Sequence, residues 1–116
     1  MKIYIIGKYS GLDHQVAVDK FAETERQLIQ AGISPENIVN PMKLGLHKNT
    51  PWDEAMKVCV KEMNKCNAAF IQKDWKTSLG ARKEITIADK NPNGYALFWE
   101  DRNDIKRISV LIELGT

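Results

Sequence analysis

The strongest constraint on this chain is its spacing: short, nearly unbroken apolar runs separated by stretches with helical periodicity. Residues 2–6 (Lys-Ile-Tyr-Ile-Ile) are β-branched or aromatic apart from the lysine and stop at Gly7. A run of that kind signals a strand buried on both faces. Residues 13–31 then place Ala17, Val18, Phe21, Ala22, Leu28 and Ile29 at helical intervals, and Gly32 follows as a stop. Residues 38–41 (Ile-Val-Asn-Pro) read as a second short strand closed by proline, and residues 42–49 as a loop. Thr50-Pro51-Trp52-Asp53 is a helix start, with Thr50 as N-cap, proline at the first helical position and a carboxylate near the positive end of the dipole. Trp52, Met56, Cys59, Met63 and Cys66 then form one apolar stripe. Residues 68–71 read as a third strand. Ser78 opens a third helix running to about Lys90, and residues 95–99 read as a fourth strand. Residues 108–114 are expected to form a fifth, although their nearly continuous apolarity also suits a packed helix.

Strands alternating with helices at this period imply βαβ units. The expected fold is α/β: a three-layer sandwich with a mainly parallel sheet of four to five strands, Rossmann- or flavodoxin-like. At 116 residues the whole chain is expected to be one domain, residues 1–116. Ligands of such sheets bind beyond the carboxyl ends of the strands, where strand order reverses. Here those ends carry residues 7–11, 40–41, 72–75 and 100–101.

Composition narrows the classes of function. Lys and Arg number 17 against 15 Asp and Glu, a net charge of +2 without clustering, which argues against a nucleic-acid binder. No apolar run approaches the roughly 20 residues needed to span a bilayer, so no membrane partner is expected. The N-terminus lacks the marks of an export signal, and a cytoplasmic location is expected. Cys59 and Cys66 lie seven apart in what reads as one helix, about 10 Å along its axis, which excludes a mutual disulfide. With only His14 and His47 besides, a zinc site is not expected.

The stretch from Trp75 to Glu84 (Trp-Lys-Thr-Ser-Leu-Gly-Ala-Arg-Lys-Glu) carries the most chemistry. Ser78 can cap the helix, and Gly80 permits close backbone approach, so the exposed N–H groups suit an anion or sugar hydroxyls. Glu84 lies six residues after Ser78, beside the apolar positions Ala81, Ile85 and Ala88. A carboxylate held ionised near a helix N-terminus and facing a strand-end crevice is a credible nucleophile. A serine cap and an early glutamate are also ordinary helix design.

Three motifs taken in order, Ile-Tyr-Ile-x-Gly-x-x-x-Gly at residues 3–11, Ile-Val-Asn-Pro at 38–41 and Trp-x-x-Ser-x-Gly-Ala-x-x-Glu at 75–84, resemble the nucleoside 2-deoxyribosyltransferase-like superfamily, and its small uncharacterised branch in particular. The Ser-Leu-Gly-x-x-x-Glu spacing is also similar to that of the 2′-deoxynucleoside 5′-phosphate N-hydrolases. The resemblance implies that Glu84 attacks the anomeric carbon of a nucleoside or nucleoside 5′-monophosphate and forms a glycosyl-enzyme, resolved by water or by another base. It implies that Tyr4 orients the glutamate and that Gly7 and Gly11 leave room for the ligand. Ser78 and the backbone at Gly80 would contact phosphate or sugar, with Lys8 suited to a phosphate and Trp75 placed either to stack on a base or to pack in the core. It further implies a homodimer or larger assembly, and such a mechanism needs no metal or redox cofactor.

Relatives usually carry an aspartate on the second helix and another before the third strand; counting back from Trp75, those places hold Cys59 and Asn67. Asp74, Asp101 or His14 would have to help the base depart instead. The loss of both carboxylates motivates a second reading, a nucleotide-binding domain that recognises or sequesters a nucleotide-derived molecule without turnover. A structural interaction domain with an unused crevice is a third. Tyr9 could line the crevice, and Met42, Leu44 and Leu46 could cover it or meet another subunit. Nothing in the sequence gives His47 a partner.

Overall fold

The computed structural model describes residues 1–46 and 49–115; the His47 reading falls outside them. Four strands, β1 (Ile3–Ile6), β2 (Ile38–Val39), β3 (Ala68–Ile71) and β4 (Ala96–Trp99), form one sheet in the order β2-β1-β3-β4. Every pairing is parallel, with Ile3 opposite Ile38 and Ala68, and Ile71 opposite Trp99. Four helices cover it: α1 (His14–Gln30), α2 (Trp52–Met63), α3 (Leu79–Asp89) and α4 (Ile105–Glu113). The fold is the expected Rossmann/flavodoxin-like α/β sandwich, and strand order reverses between β1 and β3.

The period-two alternation of the strands separates the two cores. Ile3 and Ile5 of β1, Phe70 of β3 and Phe98 of β4 point to one face, where they meet Phe21 and Leu28 of α1 and Ile108 of α4. Tyr4 and Ile6 of β1, with Ala69 and Ile71 of β3, point to the other, against Cys59 and Met63 of α2 and Ala81 and Ala88 of α3. Tyr4 is thus a fully buried strand residue on the α2–α3 side.

Three expectations need correction. The fifth strand at residues 108–114 does not form; that segment belongs to α4, because Ile105, Ile108, Leu111 and Ile112 recur at three- and four-residue intervals and pack as one stripe on the β4 side of the sheet. Helix α2 begins one residue later than its proline signalled, with Pro51 as N-cap and Trp52 first in the helix. It also ends at Met63, so Cys66 lies beyond the helix, in the turn before β3. Both cysteines are free and buried. None of the described helices is long and apolar enough to cross a membrane.

Candidate functional site

Ser78 accepts a hydrogen bond from the Ala81 N–H at 3.1 Å and so starts α3 as its cap. One and a half turns later α3 turns Glu84 inward, 2 % exposed, onto β1. There the Tyr4 hydroxyl donates to Glu84 Oε2 at 2.7 Å, a buried bond between residues 80 apart in sequence. Two more groups complete the cluster. The Cys59 thiol, from α2, and the Tyr9 phenol, from the β1–α1 loop, both lie close enough to feel the Glu84 charge. Tyr95 feels it too, while its own hydroxyl donates to the Met63 carbonyl at 2.9 Å.

Burial dominates the electrostatics. It raises the Glu84 carboxyl from 4.5 to about 7, against the opposing effect of the Tyr4 hydrogen bond. The expectation that the helix N-terminus holds this carboxylate ionised is therefore corrected. Dipole stabilisation fades beyond the first turn, and Glu84 is the sixth residue of α3. Burial also pushes the Cys59 thiol up to about 11 and lifts both Tyr4 and Tyr9 well above their ordinary range. Near neutrality the cluster holds a carboxyl poised between its two forms and a protonated, unreactive thiol.

Beside the cluster lies a cavity of about 240 Å³, bounded by the β1–α1 loop, the start of α1, the segment after β2 and the start of α2. Tyr9 and Cys59, which both feel the Glu84 charge, line it, whereas neither Glu84 nor Tyr4 does. Pro41, Met42, Leu46, Trp52 and Ala55 make much of it apolar, and Ser10, His14 and Thr50 supply polar groups. Among the described residues, no Lys, Arg, Asp or Glu lines it. The Tyr9 hydroxyl is buried, with the Cys59 thiol as its polar neighbour.

The other sequence candidates are distributed as follows. Gly11 lines the cavity, with a φ of 82° that suits glycine. Gly7 does not leave room for a ligand: a Cβ there would fall 1.8 Å from Gln72 Oε1. The space serves a partly buried network in which Lys20 Nζ donates to Gln72 Oε1 at 2.6 Å and to Asp74 Oδ2 at 2.8 Å, and Gln72 Nε2 donates to Thr24 Oγ1 at 2.8 Å. Lys8 donates from Nζ to Thr77 Oγ1 at 3.4 Å and from its backbone N–H to Asp74 Oδ1 at 3.3 Å. Gly80 is buried against α2, where a Cβ would meet Met56 Sδ at 3.3 Å and Trp52 Nε1 at 3.7 Å. Trp75 packs edge to face with Trp99, ring centroids 5.2 Å apart, and belongs to the α2–α3 core.

Of the three substitutes for the missing carboxylates, His14 alone lines the cavity; Asp74 is tied to Lys20 and Asp101 sits on the turn after β4. Asn67 sits at the amino end of β3, where its Oδ1 accepts from the Lys2 N–H at 3.0 Å. The four residues of β3 put it about 13 Å along the sheet from the strand end that faces the site. Ala69, two residues further along β3, pairs with Tyr4. Sequence reasoning missed the Lys20–Gln72–Thr24 network, which joins residues some 50 apart and leaves no local signal.

No curated protein matches the chain, and no solved structure does. Residues 1–93 match DUF4406, a domain of unknown function, over a span that runs from β1 through α3 and includes Tyr4, Tyr9, Cys59 and Glu84. That match covers most of the molecule, and the chain belongs to the DUF4406 family.

Proposed function

We propose that the protein breaks the N-glycosidic bond of a nucleoside, by hydrolysis or by transfer of the sugar to another base, with Glu84 as the nucleophile. The observation that carries this reading is the buried Tyr4–Glu84 hydrogen bond, set behind a cavity at the carboxyl end of a parallel sheet. The motif from Trp75 to Glu84 resembles that of nucleoside 2-deoxyribosyltransferase-like enzymes, which agrees with it. A Glu84 oxygen attacks C1′ as the C1′–N bond breaks; the bonding electron pair leaves with the base nitrogen, which takes up a proton. Attack by water on the resulting ester releases the sugar and regenerates the carboxylate; attack by a second base gives transfer. Tyr4 holds one oxygen of Glu84 and leaves the other for the sugar. His14 is the cavity's candidate proton donor to the departing base.

The described lining of the cavity suits an uncharged nucleoside. No lysine or arginine lines it among the described residues, Ser78 Oγ is engaged in capping α3, and Gly80 is packed against α2. At about 240 Å³ it also lies below the ~300–1,000 Å³ usual for drug-sized ligands.

A second reading draws on a specific observation: the cavity wall carries no carboxylate among the described residues, and Glu84 is not part of the lining. That arrangement also suits a domain that binds a nucleotide-derived molecule without turnover.

Chromatography of free base released from nucleosides and their 5′-monophosphates, with and without an added second base, separates the two. Glycosyl chemistry gives release by the wild type, loss in Glu84→Gln, better use of nucleosides, and a rate that rises with pH through about 7 as Glu84 ionises. Binding without release, unchanged in Glu84→Gln, would establish the second reading instead.

A further inference from the structure

We propose that Asp74 is a positioning residue for the cavity: its carboxylate ties the loop that lines the cavity, and the helix after that loop, to the turn that leads into α3. Three segments meet at this residue. From the β1–α1 loop, the Lys8 backbone N–H donates to Asp74 Oδ1 at 3.3 Å. From α1, the Lys20 ammonium donates to Asp74 Oδ2 at 2.8 Å, a pair whose side chains are 24 % and 31 % exposed. From the turn itself, Thr77 Oγ1 donates to the Asp74 carbonyl at 3.2 Å and accepts from Lys8 Nζ at 3.4 Å. The residues on either side show what is held. Tyr9 to Leu12, next after Lys8, line the cavity, and so does Ala17, one turn before Lys20. On the other side Ser78 caps α3, the helix that carries Glu84.

Asp74 does not line the cavity, and a carboxylate that accepts from two donors is an anchor and not a proton source. Nor does it serve its own turn as such residues usually do: it precedes Trp75–Thr77 without a side-chain cap, and both oxygens reach toward the loop and α1 instead. The loop holds itself weakly, its bond from the Leu12 N–H to the Tyr9 carbonyl being a long 3.3 Å. Tyr9 is also fixed by packing on the α1-side core, which leaves Ser10 to Leu12 as the part that depends on the clamp. A partly exposed ion pair adds little to global stability, so the effect of Asp74 is local order at the cavity. Its bearing on catalysis rests on the reading of the cavity as the substrate site; the clamp itself does not.

The test is nitrogen-15 relaxation NMR of the full chain, read as backbone order parameters at Ser10, Gly11 and Leu12. The wild type should lie near the ~0.85 of rigid backbone, and Asp74→Ala should fall below about 0.6. If Asp74→Ala does not fold, Lys20→Met, which breaks the same pair from the α1 side, should lower them in the same direction. Lys43→Met breaks another ion pair to α1, 2.7 Å from Glu25, and should leave them unchanged, which separates the clamp from a general loosening of the helix. Wild-type order in Asp74→Ala, or in Lys20→Met used in its place, overturns the proposal. So does a wild type that is already mobile there, or an equal fall in Lys43→Met. Base release is scored separately. Where base is released, Asp74→Ala should raise KM several-fold with little change in kcat, and an unchanged KM over a mobile loop overturns the positioning role. No release from any variant, with the loop loosened in Asp74→Ala, rejects the glycosidase and keeps the clamp; release with the loop still ordered does the reverse.

Discussion

Glu84 imposes a measurable cost on the fold. In the unfolded chain a glutamate ionises near 4.5, while in the folded protein burial raises this one to about 7. A carboxyl with a raised folded pKa contributes stability that is complete below the unfolded value and is lost as pH rises through the folded one. A gap of that size corresponds to about 3 kcal/mol, a large part of the roughly 5–15 kcal/mol that holds a domain together. Glu84→Gln cannot ionise, so urea unfolding of the two proteins should diverge between pH 5 and 8, with the wild type losing about 2–3 kcal/mol relative to the variant. Parallel curves over that range would show that Glu84 is solvated in the folded state. The same burial explains why the sequence was only half informative here. The spacing from Trp75 to Glu84 marked the residue, and the apolar flanks Ala81, Ile85 and Ala88 placed it beside the buried stripe. Its protonation state follows from burial between α3 and the sheet and from the Tyr4 hydroxyl, and no local pattern encodes that.

The packing of α1 on β3 turns on a residue without a side chain. Gly7 ends β1, and the volume where its Cβ would be is occupied by the Gln72 amide, held there by Lys20 and Thr24. Burial lowers the Lys20 pKa even though the Asp74 hydrogen bond works in the other direction, and the Lys20–Asp74 ion pair at 2.8 Å belongs to the same network. Gly7→Ala should push the amide out of place and cost about 1–3 kcal/mol, the usual range for overpacking. Gln72→Ala removes the colliding group, so Gly7→Ala made on that background should cost much less. A double-mutant cycle by denaturant unfolding reads the difference directly, and coupled neighbours typically show 0.5–3 kcal/mol. Equal costs in both backgrounds would dissociate Gly7 from the network. Strand and helix identities were legible wherever periodicity was long and caps were local: β3 falls on residues 68–71 as read, and Ser78 caps α3. Reading failed at α4, where short apolar spacing fits either period and only contact with Phe98 and its neighbours selects the helix. It failed again at Gly7, because a glycine after a strand signals close approach without saying by what.

At the level of the whole molecule, the family match and the folding unit do not coincide. The match stops at residue 93, before β4 and α4. Those last two elements supply Phe98 and Ile108, both fully buried in the α1-side core, and β4 pairs with β3 along its whole length. Burying one such side chain is worth about 1.5–3 kcal/mol. Removing two, stripping the parallel partner from β3 and leaving Phe70 uncovered takes away much of the stability expected of a domain this size, roughly 5–15 kcal/mol. A chain of residues 1–93 should therefore fail to fold cooperatively, showing reduced helicity by circular dichroism and no sharp thermal transition, although Tyr4, Tyr9, Cys59 and Glu84 are all retained. The full chain should melt in one transition, since both cores share the β1 and β3 backbones and neither is complete without the sheet. A cooperative transition in the shortened chain would mean that the α2–α3 side, which carries the Tyr4–Glu84 pair, is stable by itself. β4 and α4 would then be an addition to that unit and not a condition for it.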